Sequence, residues 1–437
     1  MTTDLFNCDA PGTITTMANS TETPKPYLPS SPAGDSVKIT MIETAIPGDI
    51  MQGLMLLRIH TDAGIIGHGE TYYIPHGVAS IIHDWMARRL LGADALAIES
   101  HWRFLYERAA NFGVRGAELR AISAIDLALW DILGHVCKQP VYRLLGGPVR
   151  DQVAVYNSCG NPSYGRNPGG DPGWPGYGTI GKAGPLQDSY SLFHSPAELA
   201  EELLADGYGA IKVWPFDGAA HRNGGMRISL ADLEEAVRPL REIRKRVGSK
   251  IELLVDGHGF FMLPAALRIA DALREIQPLW LEDIIKMDNI ETLADFRRQS
   301  RMPISASEML LSRADYAQAL SRKAADFIMI DPTWAGGISE SVRLAHMAQA
   351  YNIPSTLHDC TGPLTLIAGL HINAAVAGCC FQETVRAHVR SFYSQLIEPN
   401  VRIEKGFAHL PQGPGLGARL NPDLFAAGTA GHRVSRL

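Results

Sequence analysis

The sequence predicts a (β/α)₈ barrel preceded by an α+β domain, and three observations carry that prediction. From Val255 to Glu383, apolar runs close on an acid or a histidine: LLVDGH, LWLED, PISASE, FIMID, PSTLH and CFQE. The closing residues Asp256, Glu282, Glu308, Asp331, His358 and Glu383 are separated by 26, 26, 23, 27 and 25 residues. Each interval holds one amphipathic segment, such as LPAALRIADALREIQP or SESVRLAHMAQAYN, with apolar residues at three-and-four spacing. That is one βα unit, repeated. Upstream, strand-like stretches followed by a run of helical periodicity mark a separate α+β unit.

Composition sets the class. At 437 residues, 46% hydrophobic and 20% charged, the chain can hold more than one core. A net charge of −6 without a basic block argues against nucleic acid as a partner. No apolar run approaches membrane-spanning length, so no membrane partner is expected. The six cysteines, Cys8, Cys137, Cys159, Cys360, Cys379 and Cys380, show no CxxC spacing. That usage fits buried thiols in a reducing compartment, hence the cytoplasm.

The elements follow in order. Residues 1–36 are rich in Thr, Pro and Ser and lack a basic start and an apolar core, so they are expected to form a flexible extension rather than a signal peptide. In the α+β unit, 37–150, VKITMIETAI reads as a strand, and LMLLRIHTDAG with IIGHGET reads as a hairpin turning at Asp62-Ala63-Gly64. PGDIMQG is the loop between them, and helical periodicity runs from about Gly77 to Lys138.

The barrel, 151–395, is expected to open with VAVYNSCG, followed by a Gly- and Pro-rich loop over 160–195 that is too long for an ordinary connection. Because it follows a barrel strand, it is expected to hang over the mouth as a lid. The second strand, YGAIKVWPFD, places Lys212 and Trp214 on one face through the two-residue period of strands. The tail, 396–437, is loop-rich and is expected to pack back on the N-terminal unit.

In a barrel of this kind the carboxyl ends of the strands meet at one mouth. A single Asp at a strand end is more often the cap of the next helix, but six consecutive strand ends carrying an acid or histidine do not fit that reading. Asp256, Glu282 and Glu308 supply hard anionic oxygens suited to Mg²⁺. Without a cation, three carboxylates in one pocket repel by several kcal/mol, and Lys212 alone is not expected to serve all three. His358 and Asp331 close neighbouring strands, the arrangement in which a carboxylate fixes an imidazole as general base. His258, two residues after Asp256, points towards the same mouth, where it is placed to protonate a leaving group. Tyr164, Arg166 and Trp174 of the long loop are candidates for contacts with substrate.

These residues resemble the enolase superfamily, in the mandelate racemase subgroup of its mandelate racemase/muconate lactonizing enzyme family. The resemblance runs from Val37 onward, through TDAGIIGHGET, AISAIDLALWDILGHVCKQPVYRLLGG, VDGHG, WLED, SASE, IDP, LHD, Glu383 and GPGLG. It implies a capping domain over a modified (β/α)₈ barrel, with Mg²⁺ held by Asp256, Glu282 and Glu308. It further implies abstraction of a proton α to a substrate carboxylate, an enediolate stabilised electrostatically, and a homo-oligomer. PGDIMQG would be the loop that closes over substrate, and Glu383 a donor to the carboxylate oxygen.

The departures select the reaction. Racemases of the subgroup carry a second lysine where this chain has Trp214, whereas His258 resembles the acid sugar dehydratases of the galactonate and mannonate type. Ser307 replaces a usual glycine and Ile284 a common proline. The expected activity is therefore Mg²⁺-dependent dehydration of an aldonic or aldaric acid to a 2-keto-3-deoxy product. In it His358 with Asp331 is the base, His258 the acid, and Lys212 a partner for the substrate carboxylate. Epimerisation or cycloisomerisation on the same site, and a non-catalytic metal-binding protein, are the alternatives.

Overall fold

The fold was taken from a computed structural model, which describes residues 36–165, 181–429 and 431–437. The N-terminal unit is a meander of β1 (Ile39–Ala45), β2 (Leu54–Thr61) and β3 (Ile66–Tyr72). The β2–β3 hairpin turns at the predicted place, where Gly64 takes φ 72°, a backbone open to glycine at no steric cost. One face of the meander buries Ile42, Met55, Leu57 and Ile59 against Ile122, Ile125 and Leu129 of the helix Ala117–Cys137. That helix lies so close that a Cβ at Gly67 or Gly69 would collide with the carbonyl oxygen of Ala128 or Ala124.

Eight parallel strands form the second unit: β4 (Gln152–Ser158), β5 (Ala210–Val213), β6 (Glu252–Asp256), β7 (Trp280–Glu282), β8 (Ile304–Ala306), β9 (Phe327–Ile330), β10 (Ser355–Leu357) and β11 (Cys379–Thr384). They pair in chain order, and β11 closes on β4 with Glu383 opposite Tyr156. The chain is thus a closed (β/α)₈-type barrel with an N-terminal α+β domain. Inside the barrel, Tyr156, Ala210, Leu254, Trp280 and Met329 form a plug. Two residues further along their strands stand Ser158, Lys212, Asp256, Glu282 and Asp331, so the strand period that fills the core also lifts these polar groups to the mouth. At β8 the period differs: Ser305 stands level with Glu282 and Phe327, and Glu308 lies just beyond the strand.

Two segments depart from the sequence-based picture. Within 160–195, Asp188–His194 forms a helix rather than loop. Its DSYSLFH stretch has no Gly or Pro, and buried Asp188 anchors it through Arg386 at 2.6 Å and Asn157 at 2.9 Å. The tail divides between the two units. Strand Phe407–His409 pairs antiparallel with β4 of the barrel, while Arg433–Arg436 pairs with β1. Between them GPGLG is fixed by Asp131, which accepts from the backbone N–H of Leu416 at 2.8 Å and of His68 at 3.0 Å. The five cysteines among the described residues are free, and no described helix is long and apolar enough to cross a membrane.

Candidate active site

The strand ends converge on one enclosed cavity of about 20 Å³, lined by Lys212, Asp256, His258, Glu308, His358, Cys360 and Glu383 below and by Tyr72, Tyr73, Tyr164, Gly165 and Trp334 above. The ceiling joins both units. The Tyr72 hydroxyl, from β3, donates to the carbonyl of Gly165 after β4. Arg120 of the helix Ala117–Cys137 donates to the carbonyl of Tyr72 at 2.9 Å and lies 4.1 Å from the centre of the Trp334 ring.

On one wall, Nδ1 of His358 stands 2.7 Å from Oδ2 of Asp331. The other oxygen of Asp331 accepts from the backbone N–H and hydroxyl of Thr333 at 2.7 and 2.8 Å, so the carboxylate cannot rotate away. With Nδ1 engaged, Nε2 is the free nitrogen, beside the Cys360 thiol at 3.6 Å and the Glu383 carboxylate at 3.8 Å. Burial alone would lower the pKa of His358, but Glu383, Cys360, Glu308 and the bond to Asp331 hold it well above the ordinary value.

On the opposite wall, His258 sits in left-handed backbone at φ 47°. Its N–H donates to Oδ1 of Asp256 at 2.8 Å, and its Nδ1 stands 2.8 Å from Oδ2 of Asp217. Burial opposes its charge, yet Asp256 and Asp217 together raise its pKa to about 9. The site thus holds two imidazole–carboxylate pairs facing each other. Asp217 closes the stretch YGAIKVWPFD, so the signal of an acid after an apolar run was present there too, although nothing in the sequence pairs it with a histidine 41 residues later.

Between the walls, the ammonium of Lys212 contacts Glu282, lies 2.9 Å from Glu383 and 3.4 Å from Asp256. Burial would strip its proton, but Glu282, Glu383, Tyr156 and Asp256 hold its pKa well above normal. Lys212 thus serves Asp256 and Glu282 but not Glu308, in keeping with a single lysine that does not serve all three carboxylates. Glu282 consequently lies beneath Lys212, buried, with Trp280 Nε1 donating to its second oxygen at 2.9 Å.

Glu308 is left over. Its Oε2 is buried without a hydrogen-bond partner, as is Oδ1 of neighbouring Asp283. Asp283, which the sequence reading passed over although it follows Glu282 directly, sits at φ 44° with its other oxygen accepting from Ser307. Burial, then Glu308, Asp256 and Glu282, push its pKa well above the ordinary carboxylate range. Among the described residues no three such groups are already drawn together around one point. The two orphaned oxygens, with Asp256 and Glu282 beside them, nevertheless have the hard anionic character that a magnesium ion requires.

Glu383 accepts from the hydroxyls of Ser158 and, at 3.1 Å, Tyr156. Tyr164 lines the cavity and stacks on Trp214 at 5.1 Å, and Trp214 meets His258 edge-on at 5.7 Å. Arg166 and Trp174 lie outside the described residues. Of the two sequence departures, Ser307 is the donor that fixes Asp283, and Ile284 packs against Gly257.

Two family models match this chain. Residues 34–146 match the mandelate racemase/muconate lactonizing enzyme N-terminal domain, and residues 196–424 match the enolase C-terminal domain-like family. An arabinonate dehydratase from Saccharolobus solfataricus is 26% identical over 85% of this chain and 89% of its own length. A D-galactonate dehydratase from Ralstonia pickettii is 28% identical over 85% and 89%. Among solved structures, an enolase of the mandelate racemase subgroup from Agrobacterium tumefaciens superposes with a TM-score of 0.80. It is 36% identical and covers 91% of this chain and 99% of its own.

Proposed function

This chain belongs to the mandelate racemase/muconate lactonizing enzyme family of the enolase superfamily, and from that premise we propose that it is a hydro-lyase dehydrating an aldonic acid to its 2-keto-3-deoxy product. The observation that carries this reading is the pair of opposed imidazole–carboxylate units, His358 with Asp331 and His258 with Asp217, across one closed cavity. Removing an α-proton and expelling a β-hydroxyl from the other side need one base and one acid on opposite walls.

His358 is the base. In the neutral ring Asp331 holds Nδ1, so the α-proton passes to Nε2; the surrounding carboxylates that favour the charged ring would be balanced by Mg²⁺ when it is bound. His258 is the acid; the pKa of about 9 that Asp256 and Asp217 give it keeps its proton available at neutral pH for the departing hydroxyl, which leaves as water. Lys212 meets the developing charge on the substrate carboxylate as a donor, and the Glu383 carboxylate, 2.9 Å away, holds that ammonium in place. Asp256, Glu282 and Glu308, with Asp283 behind them, would hold Mg²⁺. The ion would supply concentrated positive charge to the substrate carboxylate. Tyr72, Tyr73 and Trp334 line the cavity opposite the carboxylates, where they limit the access of water.

An aldonic rather than aldaric substrate is supported by the relatives, named for galactonate and arabinonate. Epimerisation with Lys212 as a second base is the weaker reading, because that amine is engaged by Glu282, Glu383 and Asp256. The test is a stereochemical panel of C4 to C6 mono- and diacids with Mg²⁺, trapping keto acid with semicarbazide and following hits by proton NMR in D₂O. Keto acid from a monoacid is the expected result. Deuterium incorporation without water loss would reject dehydration in favour of epimerisation.

A further inference from the structure

Trp334 lies three residues beyond Asp331, in the turn that Thr333 fixes by its two bonds to that carboxylate. Its ring is clamped. The Arg120 guanidinium lies 4.1 Å from its centre, and the rings of His358 and Tyr73 stand 5.2 and 5.5 Å away. The residue is 6% exposed and lines the catalytic cavity, yet its indole N–H is buried without an acceptor.

Three other indoles among the described residues have acceptors. Trp102 donates to the carbonyl of Gly336 at 2.7 Å, Trp130 to Ser339 at 2.8 Å and Trp280 to Glu282 at 2.9 Å. A buried donor left unpaired is costly, so such groups are few and call for a specific cause. Arg120 has only donors, Nδ1 of His358 is engaged by Asp331, and neither the Tyr73 hydroxyl nor any other described group accepts from the indole. The remaining source of an acceptor is whatever fills the cavity.

Taking the dehydratase reading as its basis, we propose that the indole N–H of Trp334 donates to a hydroxyl oxygen of the bound sugar acid close to its α-carbon, with Arg120 as the positioning residue that fixes the ring. The proximity of the ring to His358 selects the α-carbon end of the substrate, since His358 must reach the proton there. The contact would make Trp334 a reader of hydroxyl configuration as well as a wall of the cavity.

Trp334→Phe keeps a ring beneath Arg120 and removes only the donor. With ¹⁵N-tryptophan-labelled protein and Mg²⁺, the indole cross-peak missing from W334F is assigned to Trp334 and followed as galactonate, arabinonate or any other turned-over acid is added. The expected result is a downfield shift at saturation, with kcat/KM of W334F lower by about tenfold and carried mainly by KM. A stationary cross-peak in the presence of an acid that wild type turns over overturns the proposal. So does a W334F whose kcat/KM lies within twofold of wild type. If the cross-peak moves with an acid that is never dehydrated, the dehydratase reading fails while the contact stands. No shift and no turnover across the panel rejects both. Should W334F fail to fold, W334Y supplies the assignment and the wild-type titration decides.

Discussion

Nδ1 of His258 lies 2.8 Å from Oδ2 of Asp217, and Nε2, 3.7 Å from Oδ2 of Asp256, is the imidazole nitrogen through which the ring would act at the cavity. His258→Asn is therefore expected to lower the rate of water loss by roughly 10²–10⁴-fold. Exchange of the α-proton with D₂O, which needs only His358, is expected to persist. Asp217→Asn is expected to give the same separation in weaker form. NMR of the substrate in D₂O reads both rates at once, and parallel loss of exchange and elimination would show that His258 is not the acid.

The orphaned oxygens of Glu308 and Asp283 call for a cation. Magnesium is expected to raise the melting temperature of the wild-type protein by mass action, since it binds only the folded chain. Glu308→Gln is expected to melt higher than wild type in EDTA, because it relieves like-charge crowding, and to gain less from added Mg²⁺. A wild-type melting temperature indifferent to Mg²⁺ and EDTA would remove these carboxylates as a metal site.

Two buried groups set opposite pH slopes on stability. His371 accepts from the backbone N–H of Tyr142 and faces the carbonyl of Leu416, both at 3.1 Å, and burial lowers its pKa from 6.5 to about 4. The unfolded chain then binds the extra proton first. The neutral ring contributes about 3 kcal/mol above pH 6.5 that is lost as pH falls through about 4. Denaturant titrations should find the stability gap between wild type and His371→Asn narrowing from pH 7 to pH 4.5; a constant gap would contradict this.

Asp126 works the other way. Burial raises its pKa from 3.8 to about 7 despite bonds from Ser339. The folded state therefore holds the proton longer, and its contribution is lost as pH rises from about 4 through 7. Asp126→Asn should flatten that part of the stability profile. An unchanged slope between pH 4 and 7 would rule out Asp126 as its source.

Gly69 has no room for a side chain, since a Cβ there would strike the carbonyl oxygen of Ala124 in the helix behind the meander. Gly69→Ala is expected to destabilise the N-terminal unit by about 1–3 kcal/mol. Calorimetry should show the loss, whereas a wild-type melting temperature would mean that the helix can yield.

The sequence by itself determined the fold class and most residues that gather at the mouth. Both follow from periodicity: side chains alternate along a strand, so a residue two places beyond Leu254, Trp280 or Met329 must rise above the plug those residues form. The hairpin at Gly64 was legible for an equally local reason, a backbone that glycine adopts freely. Tertiary structure decided what depends on distances between strands. It placed Lys212 between Asp256 and Glu282, gave His258 its partner in Asp217, and left one oxygen each of Glu308 and Asp283 and the Trp334 indole N–H unpaired. It also drew Tyr72 of the N-terminal unit over Gly165 of the barrel, and divided the tail between the two units. No pattern along the chain encodes these relations, because hydrogen bonds and charge pairs form between atoms that packing alone brings together.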